Sequence, residues 1–408
     1  MGVVVVTSQA GRVPRRSVFA AVGGAGLAVL AGADRATAAG SASSRAMTFL
    51  DLMMDAYLTS GRLRLSQSYT DQVGLYATGF TYDNAMAILA YLADTRPASR
   101  ARARLLGDAL VYAQNHDPDF ADGRLREAYN AGPYIRGDVA EMDGFVHPDG
   151  TVNVGGAFGF VGSGTGEQAW AGLALCALFR RTGERRYLVA AQRLGRWIVA
   201  TCGSDGPLGG FRAGIARDAI RRLTGQSTEQ NAGLIALFGQ LARLTGDRAW
   251  LDHRAAATMF VTAMWNPAGT FFASGSPDGR TVASGPVALD SQTHALLALA
   301  EIRYLGCLGF VARELMVTDT PQRPNSTLPA YTAFTGVTFS TASRHADPQV
   351  PIEPGLPKPD PYAVWFEGTA QYACALAQTP GGPFSSAAIA RLVAAAQARL
   401  GAGQTAGG

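Results

Sequence analysis

Charge is scarce in this sequence. Of its 408 residues only 16% are Asp, Glu, Lys or Arg, against 48% hydrophobic. A fold with two concentric layers of helices accounts for so little charge, because its inner helices are covered on most sides. No Lys/Arg run with interleaved aromatics occurs, so nucleic acid is not an expected partner. The net charge of +4 comes largely from Arg in the leader and on helix faces. No apolar run is long enough to span a bilayer, and no stable membrane anchor is expected. Cysteine is equally sparse. Cys176, Cys202, Cys307 and Cys374 form no C-x-x-C pair, which excludes the common zinc and redox motifs. Cys176 and Cys374 fall on apolar helical faces as small core residues, while a Cys202–Cys307 pairing stays open. An Asp-Asp-x-x-Asp run is missing too, which argues against an isoprenoid cyclase. Strand-like alternation is hard to find.

The first residues read as a leader rather than as fold. Arg15-Arg16-Ser17-Val18-Phe19 is a twin-arginine pattern, Ala20 to Ala33 is a short apolar stretch, and Ala36-Thr37-Ala38 offers a cleavage site. The expected division is a signal peptide over 1–39, one catalytic domain over 40–402 and a disordered tail over 403–408. Such a leader implies export of the folded protein to a secreted or extracytoplasmic location.

The remainder reads as helix after helix, alternating between stretches apolar nearly all round and amphipathic ones. Tyr82 to Ala93, Glu167 to Arg181, Glu229 to Leu244, Asp290 to Leu305 and Glu367 to Ala377 are of the first kind. Met47 to Thr59, Pro97 to Asn115, Arg185 to Thr201, Arg248 to Trp265 and Ser386 to Leu400 are of the second. Tight links, Thr182-Gly183-Glu184 and Thr245-Gly246-Asp247, join an apolar helix to the next amphipathic one. Gly suits a helix C-cap, and a short link makes the two helices antiparallel neighbours. The apolar helices begin alike, with Asp83, Glu167, Glu229, Asp290 and Glu367 each followed by small or amide residues. That recurrence, at intervals of roughly sixty to eighty-five residues, is an internal repeat of helical hairpins. Closure into a ring covers both apolar ends of the array, so the expected fold is an all-α (α/α)6 toroid with inner and outer helix layers. Two long loops, Asp117 to Gly164 and Thr318 to Pro361, carry aromatics and charges and are read as functional.

The inner-helix starts Tyr82-Asp83-Asn84-Ala85-Met86-Ala87, Gly166-Glu167-Gln168-Ala169-Trp170, Ser227-Thr228-Glu229-Gln230-Asn231, Leu289-Asp290-Ser291-Gln292-Thr293 and Trp365-Phe366-Glu367-Gly368-Thr369-Ala370 resemble those of the six-hairpin glycosidase superfamily. The resemblance spans about residues 47 to 400. It implies an (α/α)6 toroid and a carbohydrate ligand. Several members are glycoside hydrolases, usually inverting, and related toroids serve polysaccharide lyases and sugar epimerases.

In a toroid the inner helices share one mouth, so the five first-turn acids converge. Glycoside hydrolysis needs one carboxylic acid to protonate the leaving oxygen and a second carboxylate about 6.5–9.5 Å away when a water attacks. Asp83 and Glu167 are the expected acid/base pair, with Glu229 in reserve. Asp143, from the long loop, and Asp290 and Glu367 are candidate binding acids. Tyr82, Trp170 and Trp365 are candidate sugar platforms, competing with plain packing. Gln168, Gln230, Asn231 and Gln292 are candidates for hydroxyl recognition, with inter-helix hydrogen bonds as the equal alternative. Gly162 to Gly166 reads as a close approach to ligand or as a hinge. His294, four residues after Asp290, is a candidate binding residue or a core histidine. Phosphate, metal and cofactor are not expected, Ca²⁺ in the Asp138–Asp149 loop being the one exception left open. The function expected is a secreted glycoside hydrolase. A polysaccharide lyase and a non-catalytic carbohydrate-binding toroid are the alternatives, and the ring of acids speaks against the anionic sugars a lyase takes.

Overall fold

A computed structural model describes residues 33–57, 63–69, 77–136, 139–378, 392 and 396. The helices are α1 (Ala33–Asp55), α2 (Thr81–Ala93), α3 (Pro97–Asn115), α4 (Thr165–Thr182), α5 (Arg185–Cys202), α6 (Thr228–Thr245), α7 (Ala249–Ala263), α8 (Leu289–Leu299), α9 (Gly306–Glu314), α10 (Thr341–Arg344) and α11 (Phe366–Ala377). The order of packing is the order of the repeat. Helices α2, α4, α6, α8 and α11 touch in succession, and α3, α5, α7 and α9 each lie against the helix before them. The apolar helices are inner and the amphipathic ones outer, in an all-α toroid. Helix α4 buries residues on all sides, Ala171 to Leu178 among them, whereas α5 buries one stripe through Tyr187, Ala191, Leu194 and Ile198. The leader, the Ser386 to Leu400 stretch and the tail lie outside the described residues, apart from Ala33 onward, Leu392 and Ala396.

The tight links form as their sequence dictates. Gly183 and Gly246 adopt left-handed φ of 75°, and their N–H groups close on Phe179 O and Ala242 O. The preceding Thr182 and Thr245 hydroxyls donate to Leu178 O and Leu241 O and accept from the N–H of Glu184 and Asp247. One three-residue device thus turns the chain twice.

A second device, unseen in the sequence, stitches neighbouring inner helices together. One residue after each of the first two acids, and within two residues of the next two, lies a buried amide. Each grips both polar groups of one loop peptide residue. Asn84 bonds Ser66 N and O, Gln168 bonds Leu125 N and O, Asn231 bonds Phe211 N and O, and Gln292 bonds Phe272 N and O, all between 2.8 and 3.1 Å. The next residues of the last three loops are gripped by the preceding inner helix. The hydroxyls of Thr81, Thr165 and Thr228 each donate at 2.6 Å to Arg126 O, Arg212 O and Ala273 O. Short antiparallel pairs complete the seam: Thr78–Phe80 with Ala128–Asn130, Ser163–Gly164 with Gly214–Ile215, and Gln226–Ser227 with Gly275–Ser276. Gly214 and Gly275 hold positive φ, and a β-carbon there would collide with Ser163 O or Gln226 O, so the backbones close only over glycine. Each loop is therefore stapled between two consecutive inner helices, which fixes the helix starts at one level.

Three features differ from expectation. The stretch Asp290 to Leu305 is not one helix: α8 stops at Leu299, Ala300 turns left-handed at φ 53°, and Tyr304 tucks against Trp265 and Phe272. The outer partner α9 follows, hidden in the sequence because no Gly or Pro marks the break. The long loops are also not structureless. Asp117 to Gly164 is pinned by Arg126, fully buried and paired with Asp117 at 2.5 Å and Asp119 at 2.6 Å. Thr318 to Pro361 carries most of a two-stranded pair, Met316–Asp319 with Phe334–Val337. The expected start of the first helix at Met47 falls inside α1, which runs back to Ala33. Cys202 and Cys307 are free thiols and do not pair.

Candidate active site

The five acids sit in the first turns of α2, α4, α6, α8 and α11. Side-chain bonds reach two of them, Glu229 and Glu367, from neighbouring inner helices. Tyr82 Oη donates to Glu367 Oε1 at 3.0 Å, joining the first described inner helix to the last. Gln371 Nε2 donates to the same oxygen at 3.4 Å. Trp170 Nε1 donates to Glu229 Oε1 at 3.4 Å, and His294 Nδ1 lies 3.5 Å from that oxygen. The rings of Tyr82, Trp170 and His294 meet edge-on at 6.0 and 5.7 Å. Asp290 completes the circuit through the field it shares with His294, Glu229 and Glu367.

Burial and crowding shift the titrations of this cluster. Burial pushes Glu167 up to about 7, with the charges of Glu127 and Glu229 adding to it. Burial pushes Asp83 up to about 6, against a hydrogen bond from Ser68 and with help from Glu367. Asp290 rises to about 6 by burial, opposed by His294 and reinforced by Glu229 and Glu367. For His294, burial pulls down, but Glu229, Asp290 and Glu367 together outweigh it and raise the imidazole above its usual range. The Tyr82 hydroxyl is driven up by burial and by Glu367.

Three buried polar atoms here have no hydrogen-bond partner in the protein: Glu167 Oε2, Gln230 Oε1 and Asp290 Oδ1. Buried polar groups are nearly always paired, with protein, water or ligand. Capping accounts for them only in part: the backbone N–H groups of Glu167 and Gly164 work against the rise of the Glu167 carboxyl. Ser227 is the N-cap of α6, its Oγ accepting from Gln230 N, so Glu229 one turn inside is not a cap. No side-chain cap bond is made at the starts of α2, α4, α8 or α11.

Several candidates change role. Gln168 and Asn231 are fully buried stitches with their amides committed to Leu125 and Phe211, so hydroxyl recognition falls to Gln230. The structure pairs Asp143 with His147 at 2.7 Å in the long loop, and no contact with the five acids is among its bonds. Trp365 packs on Phe339 at 5.1 Å and serves as the N-cap residue of α11, at the rim of the core. The glycines before Glu167 make room for protein rather than ligand: a β-carbon at Gly164 would collide with Glu167 Oε2, and one at Gly162 would crowd Ile215 O at 3.0 Å. One residue was not anticipated. Glu127, half-buried on the stapled loop beside the mouth, is raised by burial, opposed by Arg217 3.9 Å away, and its charge reaches Glu167. Only its place two residues after the gripped Leu125 could have flagged it.

No family model matches the sequence, and no curated protein is similar to it. Solved structures are similar in shape. A cellobiose 2-epimerase from Spirochaeta thermophila shares 16% identity over 84% of this chain and 82% of its own, with a TM-score of 0.50. An endo-β-1,4-glucanase from Acetobacter xylinum shares 14% over 88% and 99%, with a TM-score of 0.49. A family 76 glycoside hydrolase (mannosidase) from Bacteroides thetaiotaomicron shares 11% over 72% and 76%, with a TM-score of 0.48. Identities this low speak to fold alone, and the fold is an all-α toroid of helical hairpins.

Proposed function

We propose that the chain hydrolyses a glycosidic bond of a neutral oligo- or polysaccharide at the mouth of the toroid. The observation that carries this reading is the set of unpartnered buried polar atoms on the inner-helix first turns, one of them on a carboxyl raised to about 7. A sugar offers many hydroxyls to such atoms, and a carboxylic acid still protonated near neutral pH can donate to a leaving oxygen. Glu167 fills the acid role. Glu229, whose Oε1 already faces two donors, fills the base role in place of Asp83. As the bond between C1 and the bridging oxygen breaks, that oxygen takes the Glu167 proton. Water adds to C1 from the opposite face and gives its proton to Glu229, so the product is inverted. Tyr82, Gln230, Asp290, His294 and Glu367 bind and orient the sugar. The cellobiose 2-epimerase of similar fold supports a carbohydrate substrate. The twin-arginine leader supports a secreted protein exported by that route.

A second reading, epimerisation or isomerisation of a sugar, is favoured by one observation, the His294 ring in contact range of Glu229, since that chemistry moves a proton to and from carbon. Incubating the purified protein with a panel of neutral glycans separates the two. New reducing ends, lost in Glu167→Gln, are the expected result. Interconversion of free sugars without new reducing ends would replace the first reading by the second. Reducing-end release that persists unchanged in Glu167→Gln would remove this residue from the chemistry.

A further inference from the structure

One side of the mouth is walled by phenylalanine rings that stand outside the hydrophobic core. Phe80 is the residue just before α2, in the turn that carries Asp83. Its ring meets that of Phe160 at 4.9 Å, and Phe160 meets Phe158 at 6.3 Å. None of the three is part of the hydrophobic core or packed against it. The row opens outward: Phe80 and Phe160 are half-buried, and Phe158 is 38% exposed. The backbone sets it in place. Phe80 pairs with Ala128 across the short antiparallel strands, and Ala128 N–H donates to Phe160 O at 3.2 Å. The turn Gly156–Phe158, between left-handed Gly155 and Gly159, brings Phe158 round beside Phe160.

Polar groups flank the open end. The Arg217 guanidinium lies over the Phe160 ring, 4.4 Å from its centre, and its Nε is 3.9 Å from Glu127 Oε2. A guanidinium seated on a ring keeps its N–H groups at its edge, where they can reach hydroxyls. The Arg217 side chain is 65% exposed, so that edge meets solvent. An exposed aromatic row rimmed by polar groups marks a ligand groove rather than a core.

Position decides which part of a ligand it takes. In an inverting cleavage the acid stands by the leaving sugar, and the base by C1 on the opposite face. Glu229, the proposed base, lies among Trp170, His294 and Asp290. Glu127 also acts by its charge on Glu167, the proposed acid, but it belongs to another set of side chains. Its ion-pair partner is Arg217, and among the described residues no side-chain bond joins it to Trp170, His294 or Asp290. The wall therefore begins on the acid's side of the bond, away from the base.

We propose that this wall docks the leaving-group sugar: the ring on the reducing side of the scissile bond stacks its C–H face on Phe158, while Arg217 donates to its hydroxyls and Glu127 accepts from them. The substrate is thus a chain that extends past the point of cleavage, not a sugar with a small leaving group. Phe80 and Phe160 position Phe158 and Arg217. The side of the bond rests on the hydrolytic reading, whereas the stacking does not.

The experiment is titration calorimetry of the full chain carrying Glu167→Gln, so that the ligand is spared, with cellopentaose, maltopentaose, mannopentaose, glucose and mannose. At least one pentasaccharide should bind about ten times more tightly than its monosaccharide, or better. Adding Phe158→Ala should weaken it about tenfold, Phe158→Trp should restore it, and Arg217→Gln should weaken it severalfold. Saturation-transfer NMR should show the loss in Phe158→Ala at the reducing-end rings. With Glu167 intact, Phe158→Ala should raise KM for glycan cleavage. Binding of no pentasaccharide, or binding that ignores both Phe158→Ala and Arg217→Gln, would overturn the proposal. So would a loss of contact at the non-reducing rings, which would put the wall on the C1 side. Cleavage by the parent that Phe158→Ala leaves unaltered would strike the wall and spare the hydrolysis. Binding that needs Phe158, in a parent that cleaves no glycan, would strike the hydrolysis and the side of the bond and uphold the stacking.

Discussion

Glu167 and Gln168 are neighbours in one turn of α4, the first half-buried and the second fully buried, yet their fates are opposite. Gln168 makes two bonds to one peptide residue, while Glu167 leaves an oxygen with no partner in the protein. The difference is chemical. An amide carries a donor and an acceptor and so matches both faces of a peptide unit, but a carboxylate offers acceptors only. The same pairing of a bound amide with an acid at the mouth recurs at Asp83 with Asn84, and more loosely at Glu229 with Asn231 and Asp290 with Gln292. The amides hold the toroid, while two of the acids, Glu167 and Asp290, keep an oxygen with no partner in the protein.

The largest effect that sharpens this contrast is on turnover. Glu167→Gln should lower the rate of glycan cleavage by about 10²–10⁴-fold, the usual worth of a general acid, while the melting temperature stays level or rises. Steady-state kinetics beside a thermal melt checks it. A variant that lost both activity and fold would show that Glu167 is a structural group after all. Next in size comes the mirror-image change. Gln168→Leu strands the buried N–H and C=O of Leu125 and should cost about 2–5 kcal/mol in chemical denaturation, with the residual activity of the folded fraction preserved. A cost under about 0.5 kcal/mol, the level of an ordinary surface change, would mean that the stitch is not holding the seam.

Much of this plan is legible in the sequence because it is periodic. The inner helices show themselves by apolar character all round, the outer ones by a stripe, and the hairpins by Thr-Gly-acid links. The recurring acids mark where the helices begin. The amides recur just as clearly, but their role is decided by a loop peptide some twenty to forty-five residues away, and a backbone N–H carries no signature in the residue type. For that reason Gln168 and Asn231 read equally well as ligands for a sugar. The α8 break was invisible because Ala300 takes a left-handed turn that sequence assigns to Gly or Asn. Glu127 was hidden for a related reason: it lies outside the repeat and becomes significant only through what is packed beside it.

Acidity offers a third and smaller handle on the same contrast. A carboxyl whose folded value lies above its ordinary one binds its proton more tightly in the folded state. For Glu167, with an ordinary value of 4.5 and a folded value of about 7, the stabilisation is full below 4.5 and is lost as the pH rises through 7. Stability should thus fall between about pH 5 and pH 8, and Glu167→Gln should flatten that fall by on the order of 2–3 kcal/mol. Asp83, raised to about 6, should add to the slope over a lower window. Cleavage should decline above about pH 7 as the proposed acid is lost. Denaturation curves at several pH values test the first two, and a parallel fall of parent and Glu167→Gln would mean that the folded environment does not raise this carboxyl.

The smallest expected effect separates a cap from a catalyst within a single turn of α6. Ser227 accepts from Gln230 N and thereby satisfies one of the free N–H groups at the helix start. Removing that bond in Ser227→Ala should cost about 1 kcal/mol and leave cleavage nearly unchanged. Glu229 is two residues on and accepts instead from the Trp170 indole of the neighbouring inner helix. Glu229→Gln should therefore spare stability and depress cleavage. The two variants must trade places, one moving the melt and the other the rate. If Glu229→Gln instead moved the melt as Ser227→Ala does and left the rate alone, the acid at this position would be a helix-start residue like any other. The contrast between amides that hold and acids that act would then fail on α6.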